Sequence, residues 1–304
     1  MAEFILATRG SELARVQTRM VREGILRAWP ELSVREEIVR STGDLRPEEN
    51  LTAIGGSGVF TKELENAVLE GRAHAAVHSL KDLPVVLPAG LVLGAVLARG
   101  NADDVLVSAM PGGVDALASA ARIGTGSPRR AGMMKALRTD VRVEPVRGNV
   151  PTRVRRAAEG EFDAVILAAA GLERLGWPAD GAFDLDGKTI YATMLPSFLP
   201  APGQGAIAVE VRDGDDETRR IVSVLNDVAT SAAVRAERSV LRALGGGCHL
   251  ALGARAVVIN GMLHLQAVLF DRPGKPPKMA QSSGTPDQTE ELGRVVAALL
   301  QADE

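Results

Sequence analysis

Apolar residues along this chain alternate between two periods, about 2 and about 3.6 residues, and so predict strands and helices in turn. Phe4 to Thr8 reads as a short strand, after which Ser11 caps a helix with Leu13, Val16, Met20 and Val21 on one face. Ser33 to Arg40 is a second strand, and Thr42 to Asn50 is polar and without period, a lid or an ordinary surface loop. Gly55-Gly56-Ser57-Gly58 leads into a helix with Phe60, Leu64, Ala67 and Val68 inward and Gly71 as its cap. Ala75 to Ser79 and Leu91 to Leu97 follow as strands. Val105 to Ser108 opens a second round: strand at Ile123, helix from Ser127, strand Val141 to Val146, helix Thr152 to Ala158, strand Ala164 to Ala168, helix from Leu172.

Gly181 to Phe198 shows no period, and Pro200-Ala201-Pro202-Gly203-Gln204-Gly205 punctuates the chain before a strong strand, Ala206 to Val211, expected to rejoin the first unit. After Asp215 two helices, Asp216 to Val228 and Ser231 to Leu244, precede a glycine run. Asn260-Gly261 then marks a type I′ hairpin, and Thr285-Pro286-Asp287-Gln288 caps a last helix through Leu300. These patterns predict an α/β fold of two similar domains, residues 1–97 with 198–213 and residues 98–197, followed by a small α+β domain over 214–304.

Composition narrows the function. With 304 residues, 46% hydrophobic and 24% charged, the chain is of ordinary globular type, without an apolar run that would span a bilayer. A net charge of -3 and 3% aromatic residues argue against nucleic acid as a partner. Met1 to Arg9 lacks a basic segment followed by an apolar one, so no export signal is expected. The single cysteine allows no internal disulfide and fits a cytoplasmic location. Only Lys62, Lys81, Lys135, Lys188, Lys275 and Lys278 interrupt an arginine majority among 35 basic residues. That bias reflects either genome composition or recognition of carboxylates and phosphates by guanidinium forks.

Position along the chain separates the two. Gly124-Thr125-Gly126-Ser127-Pro128-Arg129-Arg130 is a strand end, a glycine turn and a helix start, where free amides attract anions. Arginines in a first helical turn oppose the helix dipole, so an anionic ligand held by Thr125, Ser127, Arg129 and Arg130 would account for them, a phosphate as well as a carboxylate. Arg147-Gly148-Asn149-Val150-Pro151-Thr152-Arg153 repeats that placement, and Arg174 and Arg9 also follow strands. Open α/β sheets bind ligands at these carboxyl ends, so a cleft for a polyanion is expected between the two domains. Lys81-Asp82 falls there too, with Asp82 either a solvated loop residue or a carboxylate that stabilises a developing cation. His74 and His78 lack companion ligands, so no metal is expected. Cys248, behind Gly245-Gly246-Gly247 and before His249, is either inert packing or a thiol for covalent chemistry on a flexible arm.

Ala7-Thr8-Arg9-Gly10-Ser11, Ala76-Val77-His78-Ser79-Leu80-Lys81-Asp82, Arg147-Gly148-Asn149-Val150, Gly203-Gln204-Gly205-Ala206 and Gly246-Gly247-Cys248 together resemble the porphobilinogen deaminase family, the hydroxymethylbilane synthases, across all three domains. The resemblance implies two type II periplasmic-binding-protein-like domains plus the small third one. It implies a dipyrromethane cofactor joined by thioether to Cys248, and a heme-pathway transferase that deaminates four porphobilinogen molecules, couples them head to tail through azafulvenium ions and hydrolyses off hydroxymethylbilane. Asp82 would stabilise positive charge through deamination and coupling. Ser79, Lys81, Asp82, Thr125, Ser127, Arg129, Arg130, Arg153 and Gln204 would hold the cofactor, and Arg9, Ser11, Arg147, Arg153 and Arg174 the substrate. A monomer without metal is expected. Departures from the family pattern fall at Ser57, often lysine, at Gly126, usually serine, and at Pro128, usually leucine. Gly245 replaces a common acid and Ala251 a common proline, and Trp177 to Ser197 is longer than usual. Two competing readings are a two-domain carboxylate-binding module with a structural cysteine and a cysteine hydrolase using Cys248 and His249.

Overall fold

Short runs of β-branched and small apolar residues make the strands. In the computed structural model, which describes residues 3–39, 61–247, 250–272 and 274–302, they assemble into three sheets. The chain lays down β1 (Glu3–Arg9), β2 (Ser33–Val39), β3 (Ala75–Ser79) and β4 (Leu91–Val96) before crossing over. On the other side it forms β5 (Asp104–Ser108), β6 (Arg122–Gly124), β7 (Arg142–Glu144), β8 (Ala164–Ala168), β9 (Gly181–Leu185) and β10 (Lys188–Leu195). β11 (Ile207–Arg212) then returns, so the first sheet has the order β2-β1-β3-β11-β4 and the second β7-β6-β8-β5-β10-β9. In each sheet three parallel strands are followed by an antiparallel one that lies next to a chain crossing, β11 in the first and β5 in the second. That is the type II periplasmic-binding-protein topology, twice over.

Alternation along the strands loads both faces of each sheet. Phe4, Leu6, Val77 and Val209 pack with Val21 and Ile25 of α1 (Glu12–Ala28), while Ala7 and Ala76 face Leu64, Ala67 and Val68 of α2 (Lys62–Leu69). The second sheet carries α3 (Pro128–Leu137), α4 (Val150–Ala158) and α5 (Ala169–Arg174), with Ile123, Met134 and Ile166 on one face and Val105, Val154 and Leu172 on the other. After α6 (Asp216–Ser223), helices α7 (Val228–Ala243) and α8 (Thr289–Gln301) cover a third sheet of β12 (Leu252–Ile259), β13 (Met262–Leu269) and β14 (Lys278–Gly284).

Several local readings are corrected. The stretch from Gly181 to Phe198 is not irregular: β9 and β10 form a hairpin whose Asp186-Gly187 turn has φ of 53° and 81°, the I′ geometry. Met20 is exposed, and the buried face of α1 is Gln17, Thr18, Val21, Gly24 and Ile25, because its first turns lie over polar strand ends. There Thr18 donates to Thr8 Oγ1 at 2.7 Å. Helix α4 starts at Val150 because Asn149 Oδ1 accepts from Thr152 N at 2.9 Å, and α5 follows β8 without a loop. Helix α6 ends at Ser223, while α7 starts at Val228, capped by Asp227 accepting from Thr230 N at 2.7 Å. Gln288 reaches back to Thr285 N at 2.9 Å, yet α8 begins only at Thr289. The hairpin at Asn260-Gly261 has the expected I′ angles, 51° and 77°. The proposed lid, Gly55 to Phe60, Cys248 and His249 lie outside the described residues.

Of His74 and His78, the first has a structural task. Its Nδ1 accepts from Ile5 N at 2.9 Å and its ring stacks on Phe4 with centroids 5.2 Å apart, which requires neutral imidazole. Burial lowers its pKa below the ordinary value. Stability is therefore expected to fall as pH drops below about 6.5, where the unfolded chain takes up the proton first, and to level off below the folded pKa. Urea midpoints at pH 7.5 and 5.5 test this. His74→Asn, which keeps an acceptor without a titrating proton, should lose that part of the pH dependence; an unchanged slope would contradict the assignment.

Candidate active site

The carboxyl ends of β3 and β8 face a common pocket. Gln17, Ser79 and Lys81 line it from the first half, Arg130, Arg153 and Arg174 from the second, and Gly205 and Ala206 from the returning crossing, with Leu13, Val150 and Leu167 supplying apolar wall. Local chemistry sets each side chain. Ser127 caps α3 by accepting from Arg130 N at 3.4 Å, with Pro128 at the first helical position. Thr125 Oγ1 accepts from Ser127 N at 3.2 Å. At Gly126 a Cβ would lie 3.3 Å from Val146 O, so the serine usual in the family would be tight. Arg153 donates to Gly148 O at 2.8 Å, Arg174 to Gly205 O at 2.6 Å, and Gln17 to Ser79 Oγ at 2.8 Å. Gly205 has φ of 86°, and a Cβ there would meet Gly100 O at 2.7 Å. Only glycine lets the two crossings touch, and Gly100 N donates to Gly205 O at 3.1 Å.

Beside the pocket lies a residue that the sequence reading did not single out. Asp104 is fully buried at the start of β5 and receives Arg129 Nη1 at 2.6 Å and Arg130 Nη2 at 2.7 Å. Arg129 also donates to Leu199 O at 2.7 Å and is not among the pocket-lining residues. Arg130 reaches the pocket, whereas Arg129 donates to Asp104 and to a crossing carbonyl. Burial pushes the Asp104 carboxyl up, but the charges and hydrogen bonds of Arg130 and Arg129 outweigh it and hold the group well below the usual carboxylate range. Gln204, fully buried, ties this pair to the cleft: Nε2 donates to Asp104 Oδ1 at 2.9 Å and Ala102 O at 2.7 Å, while Oε1 accepts from Lys81 and Arg130, each at 3.4 Å.

Positive charge in the pocket exceeds what its own carboxylates offset. Burial and then the charge of Arg130 pull Lys81 down to about 8 and Arg153 down to about 10, and burial lowers Arg174. Asp82 closes the 3-10 turn Leu80–Asp82 with its side chain exposed, and its charge acts on both Lys81 and Arg153. Arg9 at the end of β1 and Arg147 before Gly148 each engage a neighbouring group and do not line the pocket; Ser11 caps α1 by accepting from Ala14 N at 3.4 Å. The arm to Cys248 is described through Gly247. Helix α7 ends in a Schellman motif, with Gly246 N donating to Leu241 O at 2.8 Å and Gly245 N to Arg242 O at 3.1 Å, Gly245 having φ of 87°. Among the described residues no cluster of His, Cys, Asp and Glu could hold a metal ion.

A second buried acid escaped the sequence reading. Glu237 of α7 accepts from Arg99 at 2.6 and 3.1 Å, Gly203 N at 2.8 Å and Ala256 N at 2.8 Å, so both crossings and β12 meet on one carboxylate. The available signal was, for Glu237, a lone carboxylate inside an alanine-rich helix and, for Asp104, a carboxylate opening an apolar strand, where burial demands partners.

Comparison with known proteins fits this arrangement. The family described as porphobilinogen deaminase, dipyromethane cofactor binding domain, matches residues 4–220, and the porphobilinogen deaminase C-terminal domain matches 231–302. A protein of Syntrophobacter fumaroxidans named porphobilinogen deaminase is 42% identical over 295 residues, 97% of this chain and 93% of that one. One of the same name from Roseiflexus is 44% identical over 273 residues, 90% of this chain and 87% of that one. Among solved structures, the periplasmic VFT2 domain of Bordetella pertussis BvgS is similar with a TM-score of 0.43 and 14% identity, over 74% of this chain and 86% of that one. With both family domains matched in order and relatives of 42% and 44% identity over nearly its whole length, the chain belongs to the porphobilinogen deaminase family.

Proposed function

We propose that this chain deaminates porphobilinogen, joins four molecules head to tail on a dipyrromethane primer attached to Cys248, and releases hydroxymethylbilane by hydrolysis, with Asp82 as the catalytic carboxylate. As a family member it is a transferase of tetrapyrrole synthesis with a dipyrromethane cofactor binding domain. Family membership supports this activity and not a bare carboxylate-binding module. The observation that carries the site assignment is the convergence of Lys81, Arg130, Arg153 and Arg174 from two facing sheets on one pocket. Lys81 and Arg153, held below their ordinary pKa by burial and by the charge of Arg130, and Arg174, lowered by burial, are relieved by a ligand that brings carboxylates, and both the primer and the substrate carry them.

The donor set fits the primer, which when bound would supply the free α-carbon that the first substrate joins. Lys81, Arg130, Arg153, Ser79, Thr125 and Ser127 hold its carboxylates, Arg129 acts through Asp104, and Gln204 keeps Lys81 and Arg130 in register. Arg9, Ser11, Arg147, Arg153 and Arg174 take the carboxylates of the incoming substrate. Asp82 offers a fixed negative charge as ammonia leaves the aminomethyl group and the pyrrole becomes cationic, and again as the new carbon–carbon bond forms. With a pKa of about 8, Lys81 stays mostly protonated at neutral pH and so remains an anion ligand. The division into residues 1–97 with 198–213, 98–197 and 214–304, a monomeric state, a cytoplasmic location and the absence of a nucleic-acid partner belong to the same proposal. Among the described residues no helix is long and apolar enough to cross a membrane.

Intact mass tests the proposal. The purified active chain should carry the excess mass of two pyrrole units, mapped by digestion to the peptide holding Cys248, and Cys248→Ala should lack both the excess and the activity. Activity from a chain of unmodified mass would overturn it.

A further inference from the structure

Arg238, 7% exposed in the middle of α7, spends its guanidinium on main-chain oxygens of a segment far away in sequence. Nη1 donates to Leu80 O at 3.4 Å and Leu83 O at 3.2 Å, and Nη2 to Pro84 O at 2.6 Å and Val85 O at 3.3 Å. These four carbonyls bracket Lys81 and Asp82. Burying a cation against neutral carbonyls is costly, and burial followed by the nearby charge of Arg242 lowers the guanidinium pKa to about 10, still charged at neutral pH. Such a group demands a reason beyond packing.

The reason lies in the turn it holds. Leu80–Asp82 is a single 3-10 turn closed by one bond, Leu83 N to Leu80 O at 3.2 Å, and so short a turn has little stability of its own. Upstream it is fixed by Leu80 N donating to Ala206 O at 3.0 Å. Downstream, the carbonyls of residues 83, 84 and 85 all converge on Arg238. Two turns further along, the same helix ends in the glycine arm, and a Cβ at Gly246 would lie 3.6 Å from Val85 Cγ2. One helix therefore sets both the start of the arm and the turn that bears Asp82.

We propose that Arg238 is a positioning residue for Asp82: its fork locks residues 80–85 to α7 and thereby sets the Asp82 carboxylate. The inference rests on Asp82 and Cys248 having the roles given above. A lysine at 238 keeps the charge but lacks the two-pronged fork that reaches all four carbonyls, so the turn loosens without losing its cation.

The test compares R238K, D82N and the double variant as holoenzymes, each checked by intact mass, with steady-state kinetics on porphobilinogen. R238K should load cofactor, lose about 10- to 100-fold in kcat and keep KM within about twofold, since small misplacements of a catalytic group act on turnover. The double variant should be no slower than D82N, because both changes remove the same contribution. Wild-type kcat in R238K, or losses that multiply in the double variant, would overturn the inference. If R238K does not accumulate folded, R238Q, which retains two donors, is held to the same kcat, KM and non-additivity outcomes. A D82N enzyme with the wild-type rate would instead sink the reading of Asp82 itself; a slow D82N with a fast R238K sinks only the role of Arg238.

Discussion

Asp104→Asn is expected to destabilise the folded chain by about 3–5 kcal/mol and to leave most of the purified protein without its covalent cofactor. Asp104 lies within 2.7 Å of both Arg129 and Arg130, and all three side chains are almost wholly buried. Removing one partner of a buried pair leaves uncompensated charge, and here two guanidiniums would lose the same anion. Asparagine keeps a single acceptor oxygen and turns an amide N–H toward donors, Arg129, Arg130 or Gln204 Nε2. Cofactor loading follows because the cluster positions Arg130 in the pocket and, through Gln204, Lys81. The carboxyl is held below its ordinary range, so its contribution is present above the unfolded pKa of about 3.8 and is lost as pH falls toward the folded value; the full effect should show at pH 7. Urea unfolding at pH 7 and intact mass check it. A variant within about 1 kcal/mol of the parent and fully loaded would mean the two arginines do not depend on Asp104.

How far sequence reached is best judged at three places. The strand ends were legible because alternation and capping are local: β3 and β8 fall at the residues expected, and Ser127 and Ser11 cap their helices. Convergence of arginines on those ends was legible from topology alone. What a guanidinium does once there was not. Arg129 and Arg130 are adjacent, chemically alike and both bound to the buried Asp104, yet only Arg130 also reaches the pocket, a long-range fact that no local pattern carries. The hairpin of β9 and β10 is a different failure. Asp186-Gly187 was a readable I′ turn, but in Lys188-Thr189-Ile190-Tyr191-Ala192-Thr193-Met194-Leu195 the large apolar residues come as the adjacent pairs Ile190-Tyr191 and Met194-Leu195, which breaks strict alternation. Gln17 and Thr18 belong to a third kind, polar residues buried because the helix covers a polar cleft.

Asp82→Asn is expected to keep the fold and the cofactor while lowering kcat by about 10²–10³-fold, the usual cost of removing one group that stabilises transition-state charge. The side chain is exposed at the end of its turn, so the substitution opens no cavity and should change stability by no more than about 0.5 kcal/mol. Its chemistry is another matter. Asp82 does not itself line the pocket, but its charge acts on Lys81 and Arg153, which do, beside the further cations Arg130 and Arg174. An anionic substrate is drawn in by those cations, but once ammonia departs the pyrrole is itself cationic and the surrounding arginines oppose it. A fixed negative charge beside the ring offsets that opposition at the moment it arises, and asparagine, equal in shape, cannot. The loss should therefore appear in kcat rather than KM, and KM should not rise, because removing an anion makes the pocket more attractive to carboxylates. Steady-state kinetics on holoenzyme of verified mass measure both constants. A near-normal kcat, or a fall explained by missing cofactor, would remove Asp82 from the chemistry and leave it a surface residue of the turn that Arg238 holds.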